Sequence, residues 1–523
     1  MAVVTGSNLL EGVLTTQGAA LSAAIRGAIG ARLQQAIDAG ADSNFQIGAV
    51  LAALMPLRES VGGANAVQAL ALVVGQVKGV IAADGGGGAS LDALAASKGF
   101  VNASAGDVAT TATQYMDALI SGDMWEESKT AITYSFNAVM PGEYAGKSSL
   151  TNGWQPPSAA ERAGVRDAFF ELNGLLGVQF LEVASGGDIR INAVITSPGV
   201  AGFAYYPGYS ALSGDVWLDA QERATEGYYD AGGYGRLTVW HELGHALGLK
   251  HSFEAPVTLP QAQDTLAYTL MTYSSEVRTT YASYVVEPDG TMRILPVDPM
   301  PNHYALLDVQ ALQVLYGANM ATRVGNNVYT LDTAHAGYLT IWDAGGSDTI
   351  DVSDVSGRSV VDLRSGSVSS IGLRTVAELV QEGVAALVDQ GAVASFAEPF
   401  VSGYLTQLAA DGFLYDGTDN LAIVQGVLIE SLRTGDGNDE IWDNAVDNFI
   451  GTGSGDDVIH LGAGGFDRID AGLGWDAVVF GVSSGSVQRG LAADGALLVI
   501  GTSFAAHLVG VEELHFSDGL FAV

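Results

Sequence analysis

His241-Glu242-Leu243-Gly244-His245-Ala246-Leu247-Gly248-Leu249-Lys250-His251 is the stretch that decides the fold and chemistry of this chain, an HExxHxxGxxH pattern. His241 and His245 are four apart, so a helix sets them one turn apart on one face, where both can bind one ion. Glu242, beside His241, can reach a water on that ion as general base. Gly248 can take a positive φ, which ends the helix and turns the chain back. His251 then brings a third imidazole. Three imidazoles with one position left open describe a catalytic zinc rather than a closed structural one. Incidental histidines on an ordinary helix do not explain three of the 8 His in one window, and a non-catalytic metal site leaves Glu242 without a task.

Outward from the motif, Leu237–Leu249 is predicted as a helix. Ala159–Leu176 is predicted as a second, with Val165, Phe169, Leu172 and Leu176 on one side. Ala131–Val139 and Asp188–Thr196 carry the β-branched and aromatic residues of strands. Residues 111–325 therefore read as a mixed α/β domain. Downstream, Thr265–Ser275 reads TLAYTLMTYSS and places Met271 and Tyr273 where a methionine turn beneath the metal is expected.

The last third changes character. Glycine and aspartate recur with a period near nine: Gly435-Asp436-Gly437-Asn438-Asp439, a degenerate copy around Asn448, Gly453-Ser454-Gly455-Asp456-Asp457, Gly464 and Gly465 before Asp467, and Gly472-Leu473-Gly474-Trp475-Asp476. An apolar residue follows two beyond each, at Ile441, Ile450, Ile459, Ile469 and Val478. This is the nonapeptide pattern of RTX calcium β-rolls. Glycines let turn carbonyls face an ion, aspartates of neighbouring turns complete an oxygen shell, and the apolar residue fills the core. Gly435, Gly437, Asp439, Asn448, Gly453, Gly455, Asp457, Gly464, Asp467, Gly472, Gly474 and Asp476 are the candidate calcium positions. Residues 326–523 form this all-β region, interrupted by a helical insertion near residues 376–410.

HELGHALGLKH, then DTLAYTLMTYSSE at Asp264–Glu276, then LLDVQALQVLYGANMATR at Leu306–Arg323 resemble, in the same order, the serralysin-type metzincins, secreted bacterial zinc endopeptidases. The resemblance runs from about Gly122 to the C-terminus. It implies that Met271 is the Met-turn residue. Tyr273 would ligand zinc at rest and stabilise the tetrahedral intermediate when swung away. Peptide substrate would lie extended on an edge strand, for which Gly202–Pro207 (GFAYYP) is the candidate, with Ala204 and Tyr205 as contacts. Trp342–Ile350, including Asp348, resembles the first calcium segment of the family's C-terminal domain. Two departures stand out: Ser252 follows the third histidine where proline is usual, and the stretch from His251 to Met271 is short. Both bear on specificity and neither removes a ligand.

Composition sets the outer bounds. With 58 Asp+Glu against 22 Lys+Arg the net charge is −36, which argues against nucleic acid or anionic lipid as partner and for divalent cations. No cysteine is present, so disulfides and thiolate chemistry are excluded. Residues 1–110 hold seven acids and five bases, a net of −2. Apolar residues recur there at helical spacing, as in Leu21, Ile25, Ile29, Leu33 and Ile37. They read as an all-α region: a propeptide, an interaction module for a cell-surface partner, or a packing extension. The uncharged stretch Ser60–Val77 is broken by Gly, Asn and Gln and reads as a core helix, not a membrane span. No N-terminal secretory signal is read, whereas Asp518–Val523, an acid followed by mostly apolar residues, resembles the C-terminal signal of type I secretion substrates. The expectation is a secreted, zinc-dependent, calcium-stabilised endopeptidase. The competing one is a calcium-dependent surface-layer or adhesive protein whose protease domain is vestigial or self-processing.

Overall fold

The computed structural model describes residues 115–523 apart from Glu127, Tyr209, Glu222, Ala224, Glu226, Ala231 and residues 274–279, 298–299 and 334–336. The helical reading of residues 1–110 lies outside the described residues. So does His335.

The strands β1 (Ala131–Phe136), β2 (Gln179–Glu182), β3 (Ile189–Val194), β4 (Gly202–Ala204) and β5 (Val216–Asp219) make one sheet, in spatial order β2-β1-β3-β5-β4. Every neighbour pair is parallel except β4 with β5, so the antiparallel strand is also an edge. Helix α1 (Ala159–Leu175) opens with a capping box: the Ser158 hydroxyl accepts from the Glu161 N–H, and the Glu161 carboxylate accepts from the Ser158 N–H. Its stripe of Val165, Ala168, Phe169, Leu172 and Leu175 is buried.

Helix α2 (Tyr234–Ala246) carries the motif. It has no polar stripe, because Leu237 to Ala246 are buried without exception. It ends where Gly248 takes φ +100°; a Cβ there would sit 2.2 Å from the Asp123 carbonyl oxygen, so only glycine fits. Helix α3 (Leu306–Tyr316) closes this half of the molecule.

Beyond it the chain winds into a two-sheet coil. Thr349–Asp351, Ser431–Arg433, Phe449–Gly451, Phe466–Asp470 and Ala505–Val509 pair in parallel in one sheet. Arg358–Asp362, Glu440–Trp442, Val458–Leu461, Ala477–Phe480 and Glu513–Phe516 do so in the other. Registered columns Ile350-Leu432-Ile450-Ile469-Leu508 and Val361-Ile441-Ile459-Val478-Leu514 are buried between them. These columns contain the five apolar positions of the nine-residue period. At the C-terminus Gly519–Ala522 pairs antiparallel with Glu513–Phe516, so the apolar tail is built into a sheet.

Helices α4 (Val376–Asp389) and α5 (Ala394–Ala410) interrupt the coil. They pack on a hairpin of β6 (Tyr281–Val286) and β7 (Met292–Val297), around Leu387, Ala397, Val401, Leu405 and Leu414. The hairpin leaves the chain just after the Met271 turn and is stitched to the insertion by Thr280 N–H to Phe413 O (2.9 Å) and Tyr415 N–H to Thr280 O (2.8 Å). Among the described residues no helix is long and apolar enough to cross a membrane.

Candidate metal centre and the acidic ladder

One ring nitrogen from each of His241, His245 and His251 lies within 4.8 Å of the others. Each Nδ1 is engaged away from the centre: His241 with the Leu270 carbonyl (2.7 Å), His245 with the Leu249 carbonyl (2.7 Å), His251 with Glu254 Oε1 (2.6 Å). An acceptor at Nδ1 places a proton there, so Nε2 of each neutral ring presents its lone pair. Burial holds His241 down at about 3 and His245 at about 4, which keeps these two imidazoles neutral at physiological pH. His245 Nε2 and His251 Nε2 then face each other at 3.1 Å, and His241 Nε2 is buried with no hydrogen-bond partner. Two lone pairs at that distance repel unless a cation lies between them. Two nitrogens on one tetrahedral zinc stand about 3.3 Å apart, so the donor set fits that ion.

Glu242 is buried, and its Oε2 has no partner. Desolvation alone pushes its carboxyl up to about 8. The edge strand presses on it: a Cβ on Gly202 would meet Glu242 Cγ at 2.9 Å. Of the two residues expected to contact substrate, Ala204 is half-buried on β4, while Tyr205 is 40% exposed and rests edge-on against Trp217. The next residue, Tyr206, turns to the histidines, with its ring 5.7 Å from that of His245. Burial and then the Glu254 and Asp123 charges push its phenol up to about 12. Tyr273 is 67% exposed, its ring 4.5 Å from His251 and 5.6 Å from His241. Phe253 stacks on the outer face of His251 at 5.0 Å.

Met271 is fully buried under α2. Its Sδ would lie 2.8 Å from a Cβ at position 244, so Gly244 leaves the space this sulfur fills. The turn that carries it is held by Asp308 of α3, which accepts from Thr269 Oγ1 (2.6 Å), Leu270 N–H (2.7 Å) and Ala305 N–H (3.1 Å). Ser252 N–H donates to the Met271 carbonyl at 3.1 Å, tying the third-histidine loop to the same turn. Sequence reasoning singled out neither Asp308 nor Glu254 nor Tyr206. Asp308 and Tyr206 lie inside quoted stretches, but an acid near a helix start and a tyrosine after a strand reveal no partner.

In the coil the repeat positions stack. Gly453, Gly472 and their neighbours lie one coil apart, and a Cβ on Gly472 would meet Gly453 O at 2.0 Å, one on Gly474 Gly455 O at 1.7 Å. The aspartates form a ladder in which each carboxylate accepts from the backbone one coil back, 18 or 19 residues away: Asp457 from Asp439 N–H (2.8 Å), Asp476 from Asp457 N–H (2.9 Å), Asp467 from Asn448 N–H (3.0 Å). Asp439 likewise accepts from Ser359 N–H (2.7 Å) and Asp348 from Asn327 N–H (2.8 Å). The second oxygens of Asp439, Asp457, Asp467 and Asp476 are buried with no hydrogen-bond partner. Burial pushes Asp348, Asp439 and Asp476 up to about 6 and Asp467 to about 8. Asn448 differs, because Asn444 N–H and the Ile429 carbonyl already engage its amide. Glu430 and Glu512, outside the pattern, extend the ladder by accepting from Asp348 N–H (2.7 Å) and Asp476 N–H (2.8 Å).

Residues 157–280 match the matrixin peptidase family model, and residues 305–385 match that of the serralysin C-terminal segment. Similar proteins include metallopeptidase AprA of Pseudomonas marginalis, 31% identical over 50% of this chain and 58% of that protein. Serralysin C of Dickeya chrysanthemi is 34% identical over 33% and 38%, and metalloprotease AprA of Pseudomonas entomophila is 28% identical over 63% and 62%. The chain thus spans less than two thirds of the length of these relatives. The matched segments contain the three histidines, Glu242, Met271 and Asp308, so the residues of the centre lie in the part of the chain that is similar to these metallopeptidases.

Proposed function

We propose that the chain is a secreted, calcium-stabilised zinc endopeptidase that cleaves protein or peptide substrates. One observation carries the reading most: three imidazole lone pairs converge beside a buried carboxylate whose Oε2 has no partner. His241, His245 and His251 would hold the zinc. When bound, that ion supplies Lewis acidity, polarising the scissile carbonyl and acidifying water. Glu242 takes the proton of the attacking water and returns it to the leaving amine. Its burial keeps the carboxylate out of bulk water, beside the place where the water would sit. Tyr273, whose ring lies 4.5 Å from that of His251, donates its phenolic O–H to the developing oxyanion. The peptide adds to β4 as an extended strand beside Ala204 and Tyr205, and Met271 supports the histidines from below.

Calcium belongs to the coil in the same reading. The second oxygens of Asp439, Asp457, Asp467 and Asp476, with Asp348 and carbonyls of the glycine turns, suit a hard cation that takes six to eight oxygens. Export by a type I route, with residues 1–110 as propeptide or surface-partner module, completes the proposal. The test is casein hydrolysis by the purified chain in millimolar calcium, before and after a zinc chelator. Cleavage should stop on chelation and return with about one equivalent of zinc. Zinc-loaded, folded chain that cuts neither casein nor itself would favour the calcium-dependent structural protein instead.

A further inference from the structure

We infer that Glu254 is a positioning residue that sets the zinc affinity of the centre through His251, and that Lys250 holds it in place. The inference rests on the zinc reading above. The three histidines are not held alike. His241 and His245 stand on α2, in the core, and each is oriented by a backbone carbonyl. His251 lies past the end of the helix and is partly exposed, so its backbone fixes it less. Its Nδ1 meets a carboxylate, Glu254 Oε1 at 2.6 Å. The Glu254 N–H closes a turn onto the His251 carbonyl at 3.1 Å. From below, the buried Lys250 ammonium donates to the carbonyls of Glu254 (2.8 Å) and Val257 (2.9 Å). The lysine thereby pins the loop that presents the carboxylate.

A carboxylate at Nδ1 does two things. It fixes the tautomer, so that Nε2 carries the lone pair, and its charge makes that nitrogen a stronger donor to a cation. A backbone carbonyl does the first with less of the second. The loop-borne ligand is thus the one whose bond to zinc is strengthened by charge. Because the Glu254 side chain is 42% exposed, solvent screens part of this effect.

The experiment is zinc titration of the metal-free, calcium-loaded chain against a competing chelator, with circular dichroism to verify the fold. For Glu254→Ala zinc binding should weaken at least roughly 10-fold, within the 10- to 100-fold range of such partners. Glu254→Gln keeps an acceptor oxygen but loses the charge, and should fall between, at least about threefold weaker than the native chain. Lys250→Met should also weaken binding, and the double variant with Glu254→Ala should be no worse than Glu254→Ala alone, because the two residues act as one unit. Affinity within about twofold of native in Glu254→Ala overturns the inference. Should that variant not fold, unchanged affinity in Glu254→Gln overturns it equally. If the native chain takes up no zinc, the zinc reading fails and this inference with it; if only the variants match native, the zinc reading survives alone.

Discussion

Asp308 gives the Met271 turn its shape from outside the turn. Its buried carboxylate accepts from a hydroxyl and two backbone N–H groups, and the Leu270 carbonyl of that turn orients His241. Asp308→Ala strands these donors in the core and should lower unfolding free energy by about 3 kcal/mol, read in denaturant, with weaker zinc retention. Wild-type stability in that variant would show that the turn holds itself. Gly244→Ala drives a Cβ against the Met271 sulfur, 2.8 Å away, and should lower Tm by an amount equivalent to about 1–3 kcal/mol. The grouping of the three histidines was legible because helical spacing brings i and i+4 together and a glycine turn returns the chain with the third. Glu254 and Asp308 were not, since their partners are chosen by packing: three residues apart in a loop, and across 38 residues to Leu270.

The coil is an element whose stability depends on what neutralises its aspartates. Their folded-state values, about 6 for Asp439 and Asp476 and about 8 for Asp467, lie above the roughly 3.9 of an unfolded chain. The folded metal-free coil therefore binds more protons than the unfolded one between those limits. Its stability is greatest below about pH 4 from these groups, and is lost as pH rises through about 6 and then 8. Thermal unfolding in a calcium chelator should show this decline, and millimolar calcium should abolish it. A metal-free coil equally stable at pH 5 and 8 would contradict the ladder's role. Gly455→Ala puts a Cβ 2.2 Å from the Gly437 carbonyl at φ +133°. It should cost calcium binding at the adjacent turns, measured by calorimetry. The apolar columns at Ile441, Ile450, Ile459, Ile469 and Val478 could be read from the nine-residue period. Glu430 and Glu512 could not, because the coil's register, rather than any Gly-Asp motif, brings them into the ladder.

At the scale of the whole molecule one buried core runs from Ala118 in the α/β half to Phe516 in the coil. The hairpin after the Met271 turn is captured by helices inserted into the coil. Calcium lost from the coil should therefore be felt at the zinc centre. Calorimetry should give a transition including the α/β half that moves down on calcium removal; a catalytic-half transition indifferent to calcium would show the halves uncoupled. The succession of an α/β part and a strand-rich part was readable from the change in composition and period along the chain. The hairpin partnership was not, since its strands meet helices about a hundred residues later, as the Val286 to Gln390 contact does at a separation of 104.

Glu242 is the proposed base of a three-histidine zinc centre. Casein hydrolysis by Glu242→Ala, with bound zinc measured on the same sample, tests it most directly. Zinc should be retained as in the native chain, and cleavage should fall by at least about 10²-fold. Native-like cleavage by the zinc-loaded variant would contradict it.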